Sequence, residues 1–147
     1  MKIRINHLDL NNIKKHGEDD YPHECCGFLF GTSTNDTKTI MKIRPVQNSR
    51  NSENRHNRYL ITPQEFLKAE HQARLDGLDI IGFYHSHPDA EARPSQYDLD
   101  YSWPVYSYLI VSVKNREAKE ATCWQIKDDR SEFLQEELAI NTAPVEI

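Results

Sequence analysis

The stretch LDIIGFYHSHPDAEARPSQYDLD, residues 78–100, decides how this chain is read. Its first half is apolar and becomes polar at Tyr84-His85-Ser86-His87, where Pro88 ends it. A run of this length, rich in β-branched and aromatic residues, reads as a strand leaving a core. In a strand, residues two apart point to one side. His85 and His87 therefore project together and Ser86 the other way. Beyond Pro88 the chain needs to return, and PSQYD does this. Ser95 caps a short helical turn and Asp98 follows three positions later. Two imidazoles and one carboxylate form a three-ligand set for a divalent ion, with a fourth position left for water, the pattern of catalytic zinc sites. Each half has an ordinary alternative. Ser95-x-x-Asp98 after Pro94 is also a plain helix N-terminus, and a lone His-x-His also suits a surface. The combination H-x-H-x7-S-x2-D arises by chance on the order of 10⁻³ per chain of this composition.

The surrounding chain is 147 residues long, 37% hydrophobic and 28% charged. This predicts one globular domain, residues 1–147, with a core that needs no disulfides. The net charge of −5 and the lack of a basic stripe speak against a nucleic-acid partner. No run approaches the ~18 apolar residues of a membrane span. MKIRINHLDLNNIKK lacks the apolar centre of a signal peptide, so a cytoplasmic location is expected. Cys25, Cys26 and Cys123 match neither a disulfide framework nor a zinc ribbon and read as small buried hydrophobes.

KIRI reads as a first strand, followed by a helix with Asn6 as its cap and Gly17 as its stop. CCGFLFG and TKTIMKIRPV read as strands, and residues 47–58 as an irregular polar segment. TPQEFLKAEHQARLDG is the clearest helix: Thr62 caps, Pro63 opens the first turn, Glu65 completes a capping box, and Gly77 sits just past the end. VYSYLIVSV and ATCWQIKD read as further strands. For EFLQEELAI the periodicity leaves helix and strand open. Strands outnumber helices without alternating with them, which predicts an α+β fold with a mixed or antiparallel sheet flanked by helices.

A metal site of this kind needs a general base. Glu24, in PHECCGFLFG at the start of a buried strand, is the candidate; its alternative is a solvent-facing rim residue. His23 is a weaker candidate ligand, and His7, His16, His56 and His71 read as surface residues.

With Glu24, His85, His87, Ser95 and Asp98 together, the chain resembles the JAMM/MPN-domain metalloproteases, in the small single-domain bacterial branch. The resemblance covers the order of elements along nearly the whole chain. It implies a curved, mostly antiparallel sheet with helices on its faces, a cytidine-deaminase-like layering, and a strand for EFLQEELAI. It further implies one Zn²⁺ per chain on His85, His87 and Asp98, with water as fourth ligand. Glu24 would move the proton to the leaving amine and Ser95 would donate to the developing oxyanion. The implied activity is hydrolysis of a peptide or isopeptide bond after the Gly-Gly tail of a ubiquitin-like or sulfur-carrier protein. That tail can add as a strand to an exposed sheet edge. Tyr84, Tyr97 and Trp103 flank the motif, either lining a cleft or packing in the core. A non-catalytic MPN-type scaffold and a zinc hydrolase of a small amide are the alternatives. A thiolate from Cys25 or Cys26 near the site would compete for zinc and give a latent form.

Overall fold

The computed structural model describes residues 1–48 and 61–141. The elements run β1 (Lys2–Asn6), α1 (His7–Asp20), β2 (Cys26–Thr34), β3 (Thr37–Val46), α2 (Pro63–Leu75), β4 (Asp79–Pro88), α3 (Gln96–Tyr101), β5 (Ser107–Lys114), β6 (Glu117–Ile126) and β7 (Phe133–Asn141). The segment expected to be irregular falls mainly outside the described residues.

The seven strands form one closed sheet in the order β1-β3-β2-β4-β5-β6-β7. The expectation of α+β with a mixed sheet holds, but the sheet is a barrel, not an open curved sheet. Three pairings are parallel, β1 with β3, β1 with β7, and β4 with β5; the other four are antiparallel. Closure comes from β1, which runs between β3 and β7 and aligns Lys2 with Glu137 and Asn6 with Asn141. Each strand thus has two neighbours, though β1 covers β3 only at Thr37, Lys38 and Thr39.

Helix α1 touches β1, β3, β4, β5 and β6. One helix reaches five strands of a closed sheet only from its concave side, so α1 fills the barrel. Leu10 and Ile13 pack there with Ile3, Leu29, Tyr84 and Val111. On the convex side α2 lays Ala69 and Ala73 over Phe28, Phe30, Phe83 and Tyr108. Strand alternation separates the two cores: Leu29 goes in, and Phe28 and Phe30 go out.

The Asn6 cap is borne out, its side chain accepting from Asp9 N at 2.8 Å. Gly17 does not stop α1, which runs on to Asp20. A Cβ at Gly17 would lie 3.0 Å from Val113 Cγ2 and 3.3 Å from Ser86 Cβ. The glycine lets the helix approach β4 and β5, a packing role that sequence punctuation does not reveal. Thr62 caps α2, and Gly77 takes φ +70 just past its end. EFLQEELAI is strand β7. No helix among the described residues is long and apolar enough to cross a membrane.

Candidate metal centre

Strand β4 presents its two faces differently. Tyr84 and Ser86 turn inward to α1: the Tyr84 hydroxyl meets His16 Nδ1 at 2.7 Å, and Ser86 Oγ accepts from Cys25 N at 2.8 Å. Phe83, His85 and His87 turn outward. There α3 delivers Asp98, and these three polar side chains are buried. His85, His87 and Asp98 form the one group among the described residues whose ligand atoms converge as for a metal ion.

The two Nε2 atoms stand 3.1 Å apart; His87 Nε2 lies 3.2 Å from Asp98 Oδ2 and His85 Nε2 3.4 Å from Oδ1. Ligand atoms 2.0–2.1 Å from a tetrahedral zinc ion sit about 3.3–3.4 Å from one another. The three contacts have the length of edges of that tetrahedron, so the residues present fit the ion.

Neighbours orient the set. His87 Nδ1 donates to the Glu91 carbonyl at 3.0 Å, which leaves its Nε2 lone pair directed at the cluster. Ser95 and Asp98 form a reciprocal capping box: Asp98 N donates to Ser95 Oγ at 3.1 Å and Ser95 N to Asp98 Oδ2 at 2.8 Å. The plain helix cap and the candidate ligand are thus one structure, since the cap aims the carboxylate. Having accepted from Asp98, the Ser95 hydroxyl keeps its proton for donation.

Burial lowers the pKa of His85 against the pull of Asp98. Burial also works on His87, but Asp98, the charge of Glu24 and the Glu91 carbonyl outweigh it and raise that pKa. Asp98 is held well below the usual carboxylate range: burial opposes ionisation, and the two imidazoles overcome it.

Glu24 is buried and directly precedes β2. Cys26 pairs with His85 across the antiparallel ladder, and two further residues bring Glu24 opposite His87. The Glu24 charge is close enough to help raise the pKa of His87. Asn48 fixes this segment by donating to the Glu24 carbonyl at 3.0 Å. Neither Asn48 nor the Glu91 carbonyl carries a sequence signal, because each works through backbone that folding brings near.

His23 does not join the cluster, nor do Cys25 and Cys26. Both cysteines are buried in the two cores. Burial pushes the Cys25 thiol up to about 12, and burial with Cys25 nearby pushes Cys26 higher still. Because neither thiol joins the cluster, a latent thiolate-bound form gains no support. His16, expected at the surface, is instead the inner partner of Tyr84, itself wholly buried. Tyr97 and Trp103, by contrast, line a cavity that Asp98 borders.

Proteins of known name share much of this sequence. The chain is 35% identical over 108 residues to a desampylase of Haloferax volcanii, covering 73% of this chain and 75% of that one. It is 29% identical over 123 residues to the CysO-cysteine peptidase of Mycobacterium tuberculosis, covering 81% and 79%. A solved protein of Salinibacter ruber superposes with a TM-score of 0.73 at 40% identity, over 100% of this chain and 97% of that one. A JAB1/MPN domain protein of Archaeoglobus fulgidus shares the fold at a TM-score of 0.52 and 18% identity, over 95% and 96%. Residues 9–127 match the family model of prokaryotic homologues of the JAB domain, and the chain belongs to that family.

Proposed function

We propose that this protein is a zinc-dependent peptidase of the cytoplasm. Its substrate is a ubiquitin-like or sulfur-carrier protein, and it hydrolyses the peptide or isopeptide bond that follows the carrier's Gly-Gly tail. The single domain of residues 1–147 carries the whole site. The observation behind this reading is the convergence of His85, His87 and Asp98 at metal-ligand edge lengths, with Glu24 opposite His87 in the strand register. The names of the desampylase and CysO-cysteine peptidase relatives support the substrate class.

In this reading His85, His87 and Asp98 hold the ion. Zinc bound there supplies a Lewis acid and lowers the pKa of a water from about 15.7 to about 7. Glu24 takes the proton of the attacking water and passes it to the leaving amine. Ser95 donates to the carbonyl oxygen as negative charge builds on it, while its Oγ lone pair keeps Asp98 in place. Glu91 holds the His87 ring. A Gly-Gly tail suits the site because it brings no side chains to a cluster this enclosed.

The test is Glu24→Gln. Metal analysis should still find about one zinc per chain. Cleavage of a Gly-Gly-tailed sulfur carrier bearing a short C-terminal extension, read by mass spectrometry, should fall by ~10²–10⁴. Undiminished turnover removes Glu24 from its role, and a zinc-loaded wild type that cleaves no such carrier removes the function.

A further inference from the structure

A cavity of about 480 Å³ opens beside Asp98 on the convex side of the barrel. Its walls are aromatic: Phe66 from α2, Phe83 from β4, Tyr97 and Tyr101 from α3, and Trp103 and Tyr106 from the loop before β5. Phe83 lies two residues before His85 on the outward face of β4. The cavity therefore adjoins the metal cluster at the end away from His87, and Glu24 lies opposite His87.

This wall is not an unfinished core. Trp103 and Tyr101 are each 65% exposed, so folding alone does not account for them. They are nonetheless held. Trp103 N donates to the Tyr108 hydroxyl at 2.9 Å, and the Arg130 guanidinium stands 5.3 Å over the Trp103 ring. Tyr97 and Tyr101 pack at 4.5 Å between centroids. From inside the barrel, Lys38 Nζ donates to the Val105 carbonyl at 2.6 Å and to Ser107 Oγ at 2.8 Å. Val105 has φ +83, a conformation a β-branched residue keeps only when its surroundings impose it. The loop is bolted through the barrel wall, and the aromatic rim stands ready before anything binds. The two glycines of a Gly-Gly tail bring no side chain to fill this space.

We propose that this cavity is a specificity pocket for one large apolar side chain, of the leucine, methionine or phenylalanine kind, carried by the substrate a few residues before its Gly-Gly. The inference rests on the peptidase reading. In that reaction Glu24 hands its proton to the leaving amine, so the leaving group departs at the His87 end. The acyl part then extends over the cavity at the Phe83 end. An apolar side chain seated there anchors the tail and draws the side-chain-free glycines across the metal cluster.

The test uses five-residue acetylated peptides ending in a free Gly-Gly carboxylate, with alanine, leucine, phenylalanine or aspartate at each of the three preceding positions. As cleavage products they bind without turnover. Labelled with fluorescein, they are titrated by anisotropy against the whole zinc-loaded chain. At one position leucine and phenylalanine should bind about 10- to 100-fold tighter than aspartate. Trp103→Ala, which removes a side chain too exposed to carry the fold, should bring that ratio close to one. Equal affinities at all three positions overturn the pocket, and so does a preference that survives in Trp103→Ala. The same peptides ending in an aminocoumarin amide report cleavage separately. Selective binding without any cleavage would sink the peptidase reading and leave the pocket standing.

Discussion

Two buried polar clusters lie on opposite faces of the same barrel wall, and only one is built for a metal. Outside, His85, His87 and Asp98 bring lone pairs within 3.1–3.4 Å of one another. Inside, Lys38, Ser107, Cys123 and Glu136 are just as buried. There the ammonium donates to a carbonyl and a hydroxyl, and Cys123 Sγ meets Glu136 Oε1 at 3.7 Å. Glu136 Oε2 has no hydrogen-bond partner among the described residues. Burial lowers the pKa of Lys38 while the Glu136 charge opposes it. Burial and charge are common to both clusters. What separates them is convergence: the outer set aims acceptors at one point, while the inner set spends its donors on a loop carbonyl and a strand hydroxyl.

The largest effect should come from breaking the outer set. Asp98→Ala should abolish stoichiometric zinc binding and with it turnover, as metal analysis and the carrier assay would read. Chelation of the wild type should do the same. Zinc retained at one per chain in Asp98→Ala would move the metal elsewhere. Next, Lys38→Met should leave zinc content unchanged. It strands the Val105 carbonyl and Ser107 Oγ, so stability should fall by about 1–3 kcal/mol in urea unfolding. It should also raise KM more than it lowers kcat, because the loop it releases carries Trp103 and Tyr106. A third outcome concerns protons. The raised pKa of His87 means a proton competes with the metal from above the ordinary histidine value of 6.5. Zinc affinity, followed with a competing chelator, should be full in mild alkali and fall progressively as pH drops through neutrality.

The smallest effect belongs to a third, half-buried imidazole that gathers no ligands. His16 accepts from the Tyr84 hydroxyl and reaches Asp20 Oδ2 at 3.4 Å. Burial lowers its pKa more than the nearby aspartates raise it. Its neutral form is therefore the folded form. The stability it lends is complete above the ordinary histidine pKa and drains away as pH falls below that value. His16→Gln keeps an acceptor but cannot titrate, so the loss of stability between pH 6.5 and 5 should become shallower in thermal melts.

Much of the metal cluster was legible because it obeys local rules. The period of two aligns His85 with His87, and Ser95-x-x-Asp98 is both a cap and the means of aiming a carboxylate. Glu24 needed the resemblance, since only the β2–β4 register brings it opposite His87. Tyr84 and Trp103 look alike in sequence, yet one is wholly buried and the other exposed, a difference set by which face of the wall each meets. EFLQEELAI stayed ambiguous for a physical reason: the one buried residue of β7 is Glu136, so no apolar period marks it. Lys38 reads as an ordinary exposed lysine in TKTIMKIRPV because its partners are sixty-seven and sixty-nine residues away. Barrel closure was invisible for the same reason, since it depends on a parallel pairing between the first and last strands.

That pairing has a consequence for how the molecule is made. During synthesis β1 emerges first but obtains its second neighbour only when β7 leaves the ribosome. Until then β1 and β6 each show a bare row of amides and carbonyls, which invites pairing with other chains. A chain released before Phe133 would leave that seam permanently open, so nascent or truncated forms should lean on chaperones in a way the finished barrel does not.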